Sequence, residues 1–296
     1  MKRWILILCF LTSAGLHADP AVQFRISPDR PTMEAPGIRE ASGIVVSRKD
    51  PGHYWIINDS GAPAEIHLVQ ADGTPRGKIT LKDARNVDWE DLAIFEWDNQ
   101  SWLLVADTGD NESKRDFCTL HILREPALPK PDQKLDARLT TDWQIRFRYE
   151  GGPRDCESVA VDAAARKILL LSKRNSPPEL HELPLLKPEK RGIQTTRRIG
   201  TSTVDAPLES TIPFRNQPTA MDIAADQSFA AVLTYYGVFV FPKAPAESWP
   251  EAFARKPLSP GPHLLAQAES IAISADGKRI IALSEGKKTP IVTYQR

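Results

Sequence analysis

The 296-residue chain carries 38 basic and 38 acidic side chains, so its bulk charge gives no footprint for nucleic acid or for an anionic membrane surface. With 41% hydrophobic residues and three cysteines, it can bury a large core without the dense disulfide framework of a small secreted scaffold.

Residues 1–18 read as an export signal: Lys2 and Arg3 supply the positive start, residues 4–11 form a short apolar run, and residues 12–18 are small and polar. That run is about half the length a membrane-spanning helix needs. Cleavage after Ala18 is expected, with Gly15 the alternative because Leu16 is bulky for its place, leaving 19–296 as one mature, monomeric domain in the periplasm or outside the cell, with no membrane attachment. Cys118 and Cys156 then face an oxidising compartment, where they are expected to form a disulfide or to stay as two buried thiols.

The mature chain is repetitive. Five segments, at 42–47, 90–95, 157–162, 221–226 and 269–274, begin with a polar or small pair and run into small and β-branched apolar residues. That pattern suits a strand buried on both faces. A second apolar strand follows each, at 54–58, 102–106, 168–172, 229–234 and 280–284, and then a third, at 65–70, 119–124, 179–184, 237–242 and 290–295. Fourth strands are read at 78–81 and 144–149, and weaker ones at 196–200 and around Leu258. The fifth repeat lacks one, and the alternating segment 22–26 can supply it, closing the ring and removing its open edge. The fold class is therefore all-β: a single β-propeller with five blades of four-stranded antiparallel sheets, closed by the N-terminal strand. Six blades, with an extra one near 201–214, are the alternative. The Pro-rich insertions 125–134 and 176–192 read as surface loops.

Antiparallel order puts the start of each inner strand beside the end of the second strand of its blade, so the polar residues there gather on one rim. Asp88 with Glu90, and Asp155 with Glu157, stand two apart and point to the same side of an extended chain. Like charges so placed repel unless a cation, a base or a raised pKa relieves them, and hard oxygen ligands suit Ca²⁺ or Mg²⁺ better than zinc. Channel-mouth carboxylates that only bond loop amides and nearby lysines and arginines would look the same. The run Asp107-Thr-Gly-Asp110-Asn111 is the most site-like, although a turn using Asp and Asn for local bonding has similar composition. The expected cation ligands are Glu90, Asp107, Asp110 and Glu157. Lys173 is expected to orient an anionic group, which makes Glu90, Glu157 and Lys173 the candidate catalytic residues. Asp59, Asn111, Tyr235 and Glu269 are the candidate substrate contacts. His67, His121 and His181 recur at one place in three successive third strands, which marks a repeated packing environment and not a metal centre. Serine-hydrolase elbows and phosphate-binding glycine loops are missing from the sequence.

The segments Asp88-Trp-Glu-Asp-Leu-Ala93 and Val105-Ala-Asp-Thr-Gly-Asp-Asn111 resemble a family of exported bacterial β-propeller proteins. Leu123-Arg-Glu-Pro126 and Asp155-Cys-Glu-Ser-Val-Ala-Val161 with Lys173 add to the likeness. More distantly, the acidic rim is similar to those of phytase-like and gluconolactonase-like propellers. That resemblance implies a divalent ion such as Ca²⁺ at the channel mouth and a metal-dependent hydrolase of phosphoesters or lactones. A periplasmic propeller that binds a sugar, peptide or partner protein on the same rim without turnover is the rival.

Overall fold

The computed structural model describes residues 23–189 and 192–296; the expected export signal at 1–18 lies outside the described residues. Five sheets stand around a central axis as a five-bladed β-propeller, and the fifth inner strand packs back on the first. The inner strands are Ala41–Val46, Trp89–Trp97, Val159–Asp162, Pro218–Ile223 and Ala268–Ile273. They are almost wholly buried, as strands packed between neighbouring sheets must be. Second and third strands follow antiparallel in every blade. Arg25–Ile26 pairs with Gln295 and Tyr294 of the last blade, so the ring closes through the N-terminal strand. Phe24 anchors that closure against Phe229, with ring centroids 5.4 Å apart. No strand occurs between Thr201 and Pro218, which excludes the sixth blade. Among the described residues, no helix is long and apolar enough to cross a membrane.

Three features depart from the expected pattern. The insertions in blades two and three do not remain surface loops: each leads into a strand, Leu135–Leu139 or Ile193–Thr195, that pairs parallel with the outer edge of the preceding blade. An exposed outer edge is thereby covered. Gly77 makes this approach possible, because a Cβ there would overlap the Leu135 backbone, and its φ of +120° disfavours any side chain. Secondly, blade four has three strands, and its fourth is reduced to a bridge between Val240 and Leu258. The helix Trp249–Ala254 covers this blade instead, packing Phe253 on Phe241 and donating the Trp249 indole N–H to Asp162 at 2.8 Å.

Thirdly, the repeat in blade four begins two residues earlier than its sequence suggests. The register shifts between Ala41 and Gly43, Trp89 and Asp91, Pro218 and Ala220, and Ala268 and Ser270. Each shift is a β-bulge, which leaves Ser42, Glu90, Thr219 and Glu269 unpaired and re-aimed. In blade three, Lys173 N–H bonds Asp155 O while Leu171 N–H bonds Ser158 O, the same skip around Glu157. Thr219, and not Met221, is thus the blade-four equivalent of the rim glutamates.

The innermost strands would leave backbone N–H groups unpaired at the axis, a costly arrangement in a buried channel. Asp91 fills this need, accepting from Leu92 at 2.8 Å, Val159 at 2.7 Å and Met221 at 3.3 Å. Asp222 does the same for Ile223 and Ile273. Hydroxyls complete the stitching between blades: Ser42 donates to Trp89 O, Thr108 to Cys156 O, Thr219 to Ala268 O and Ser270 to Ala41 O.

Candidate functional site

The bulges convert a structural irregularity into a mouth. Glu90, Glu157 and Glu269 occupy the bulge position of blades two, three and five, while Ser42 and Thr219 at the same position are spent as interblade donors. Just beyond the end of each second strand comes a further ring, Asp59, Thr108, Lys173, Tyr235 and Glu285, with the backbone N–H of Asp59, Thr108, Lys173 and Glu285 bonded to the carbonyls of Glu40, Asp88, Asp155 and Gln267, on the segments that enter the inner strands. The mouth therefore holds more carboxylates than cations, with Lys173, Arg115 and Arg174 each paired to one of them.

Two groups of carboxylates have oxygens within 4.8 Å of one another, Asp59 with Asp88 and Glu90, and Glu90 with Asp155 and Glu157. Glu90 belongs to both. Its side chain is 3% exposed, and burial, then Glu157, Asp59, Asp88 and Glu269, all push its carboxyl well above the ordinary range. Its strongest charged neighbours are thus all carboxylates. Burial and Asp59 raise Asp88 to about 6, and burial followed by Glu269 and Asp59 raises Glu285 to about 7. Like charges in a partly dry site behave in this way when nothing neutralises them.

The second group is already occupied. Asp155 accepts the Asp110 N–H at 3.0 Å and the Arg174 Nε–H at 2.6 Å, and Glu157 is ion-paired with the buried ammonium of Lys173. Lys173 also donates to the Tyr235 hydroxyl at 3.0 Å, which donates in turn to Glu269 at 2.7 Å. Burial alone would lower the Lys173 pKa, but Glu157 and Glu269 beside it raise it and keep it charged. The first group makes no ion pair among the described residues, since Arg115, which acts on Asp88 from a distance, is paired with Asp107; its residues fit a hard divalent ion: oxygen donors only, drawn from two chain segments, around a buried carboxylate in want of positive charge.

Gly109 makes room for that group. A Cβ there would collide with the carboxylates of both Glu90 and Asp88. Gly109→Ala should therefore displace the two side chains and weaken cation binding about tenfold or more, measured by calorimetric titration; unchanged affinity would show that the two carboxylates are not the ligands.

The structure does not bring the expected set Glu90, Asp107, Asp110 and Glu157 together. Asp107 sits at the repeat position of Asn58, Ser172, Thr234 and Ser284, whose side chains accept backbone N–H groups of nearby loops. Its carboxylate meets the Arg115 guanidinium at 2.7 Å, and although burial would raise its pKa, His121 and Arg115 hold it below the usual range. Asp110 caps its own turn, accepting from the N–H groups of Lys114 and Arg115 at 2.8 and 2.9 Å. Asn111 is exposed and bonded to Arg174. Among the substrate candidates, Asp59 lies in the open carboxylate group, whereas Tyr235 and Glu269 belong to the lysine network.

Cys118 and Cys156 are free buried thiols rather than a disulfide. Cys156 Sγ faces Leu171 O at 3.4 Å and Ser158 O at 3.5 Å, and Cys118 Sγ faces Thr108 O at 3.9 Å; burial pushes each thiol up to about 12. The three repeated histidines are buried beside their own blades' polar residues: His67 near Glu65, His121 near Asp107, His181 near Thr196 and Glu179. They do not converge.

Fold and rim together define a five-bladed propeller with an acidic channel mouth. Comparison with protein-family models and with curated proteins gives no match.

Proposed function

We propose that the mouth binds a divalent cation, Ca²⁺ by preference, through Glu90, Asp88 and Asp59, and that it thereby takes up a small anionic ligand in the direction of Lys173. The observation that carries this reading is Glu90, a buried carboxylate whose strongest charged neighbours are all acidic. Ca²⁺ suits carboxylates from separate segments because it accepts six to eight oxygens in loose geometry. When bound, such an ion would polarise a phosphoester or lactone and acidify its water, the chemistry of a metal-dependent hydrolase. Lys173 favours a second reading, binding without turnover, because its ammonium is already held by Glu157 and Tyr235. A screen of phosphoester and lactone substrates with Ca²⁺ present separates the two: turnover that disappears in Glu90→Gln supports catalysis, and ligand binding without turnover supports the second reading. An exported location goes with both.

The raised carboxyls give the cation site a pH dependence. Asp88 at about 6 and Glu285 at about 7 hold protons more tightly in the folded protein than in the unfolded chain. Their folded pKa values are raised, so metal-free protein loses stability as pH climbs from about 4 to about 7, and the contribution is fully present only below that window. Cation affinity runs the other way, because protonated carboxyls are poor ligands. Calcium affinity should rise at least tenfold between pH 5 and pH 8, read by titration calorimetry; a flat profile would contradict the assignment.

A further inference from the structure

The residues around the mouth raise a question that the cation does not answer. Of the large hydrophobic side chains left exposed, Val87 at 53%, Leu208 at 83%, Ile212 at 36%, Phe214 at 67% and Leu264 at 76% all lie on segments that feed an inner strand. Inner strands begin at the mouth, so all five stand on its face, entering blades two, four and five. The others, Leu186, Ile193 and Leu258, lie in the blade-three insertion and on the outer edge of blade four. Apolar groups gathered on one face in this way mark an interaction surface.

Two of the five are held there at a conformational cost. Phe214 and Leu264 have left-handed backbones, with φ of 53° and 60°, where bulky residues are rare. Core packing does not explain them, since both side chains point to solvent. Their loops are nonetheless tied down. Asn216 clamps the neck of the 205–217 loop, accepting the Ala206 N–H at 2.8 Å and donating to Asp205. Leu264 sits between buried Leu265 and buried His263, whose ring bonds Thr234 O and the Leu265 N–H, both at 2.9 Å. The apolar groups are thus displayed on anchored loops, which lowers the ordering cost of binding.

We propose that this face docks a polypeptide that presents basic side chains flanked by apolar ones. The apolar groups are spread over the entries to three blades, which suits a macromolecule more than a small ligand. Charge selects its kind: the mouth that these loops enter gathers Asp59, Asp88, Glu90, Glu269 and Glu285, while its cations Lys173, Arg115 and Arg174 are held by Glu157, Asp107 and Asp155. An anionic membrane or nucleic acid would be repelled, and a lysine or arginine attracted. The proposal goes beyond the cation reading and does not depend on it, so its test is run in EDTA.

The probe is a fluorescein-labelled peptide of about twelve residues alternating leucine and arginine, followed by anisotropy, with leucine–glutamate and serine–arginine peptides as comparisons. Binding of the leucine–arginine peptide is expected, at least tenfold weaker for the serine–arginine peptide and for the Phe214→Ser/Leu264→Ser double variant, unchanged in Leu186→Ser, and missing for the leucine–glutamate peptide. The substituted side chains are exposed, so each variant should fold as the wild type does, which circular dichroism checks. Absence of binding up to about 1 mM, or equal binding by wild type and double variant, would overturn the proposal. So would sedimentation of the protein with phosphatidylcholine vesicles that depends on Phe214 and Leu264 when the peptide does not bind, since the face would then be a lipid contact.

Discussion

Calcium added to EDTA-stripped protein near pH 7.5 should raise the melting temperature, and the rise should be lost in Glu90→Gln. Native-only binding at a hundredfold excess over Kd contributes about 2.7 kcal/mol, which for a chain of this size is a shift of roughly 5–10 °C. The variant changes two things in opposite directions. Removing a buried charge that sits among other carboxylates stabilises the metal-free protein, because Glu90 is raised by burial and by four acidic neighbours. The same change removes the ligand common to both carboxylate groups. Glu90→Gln should therefore melt at or above wild type in EDTA and below wild type in calcium, a crossing that general damage to the fold would not produce. Asp107→Asn, which touches the Arg115 pair and neither carboxylate group, should retain the calcium shift.

The second large effect is expected at the axis. Asp91→Ala removes the acceptor of three buried backbone N–H groups from three inner strands and leaves a void beside them. Each orphaned donor costs about 1–3 kcal/mol, so a loss of at least about 3 kcal/mol is expected, seen as a lower urea midpoint with little change in slope. Asp91→Asn should cost less than Asp91→Ala but still destabilise: Oδ1 accepts from Leu92 and Oδ2 from Val159 and Met221, so the single amide oxygen can keep the Val159 and Met221 bonds while the NH2 meets the Leu92 N–H, and the carboxyl, which burial raises well above its usual pKa, no longer has to hold a charge or a proton there. Equal losses in the two variants would show that the acceptor oxygen is not what matters.

The parts of this structure visible in the sequence are those that repeat. Inner strands buried on both faces leave unbroken apolar runs, and these five runs sufficed for the blade count and the closing strand. The blade-four offset arises because Met221-Asp222-Ile-Ala matches Glu90-Asp91-Leu-Ala in sequence, while Thr219, the true equivalent of Glu90, is a hydroxyl spent on Ala268 O. A slip of two keeps the faces of a strand unchanged, so the strand itself was read correctly. The strands 135–139 and 193–195 were hidden because their partners lie in the preceding blade, a pairing that no local pattern encodes. Glu90 and Glu157 could be found by spacing, and Gly109 by its place in a carboxylate-rich run. Asp107 and Asp110 were confused with them because caps and ligands use the same residue types. Asp91 and Glu125 had a signal that spacing overlooks: an acid set within buried surroundings. Glu125 accepts from Ser47, Trp55 and Ser101 on the opposite rim, so it joins blades one and two and is no part of the mouth.

The most direct test of the cation assignment is a crystal soaked in manganese, with anomalous scattering recorded above the manganese edge. One strong peak is expected within bonding distance of Glu90, Asp88 and Asp59, removed by EDTA and missing in Glu90→Gln. A mouth without a peak, or a peak at Asp107 and Asp110 instead, would contradict it.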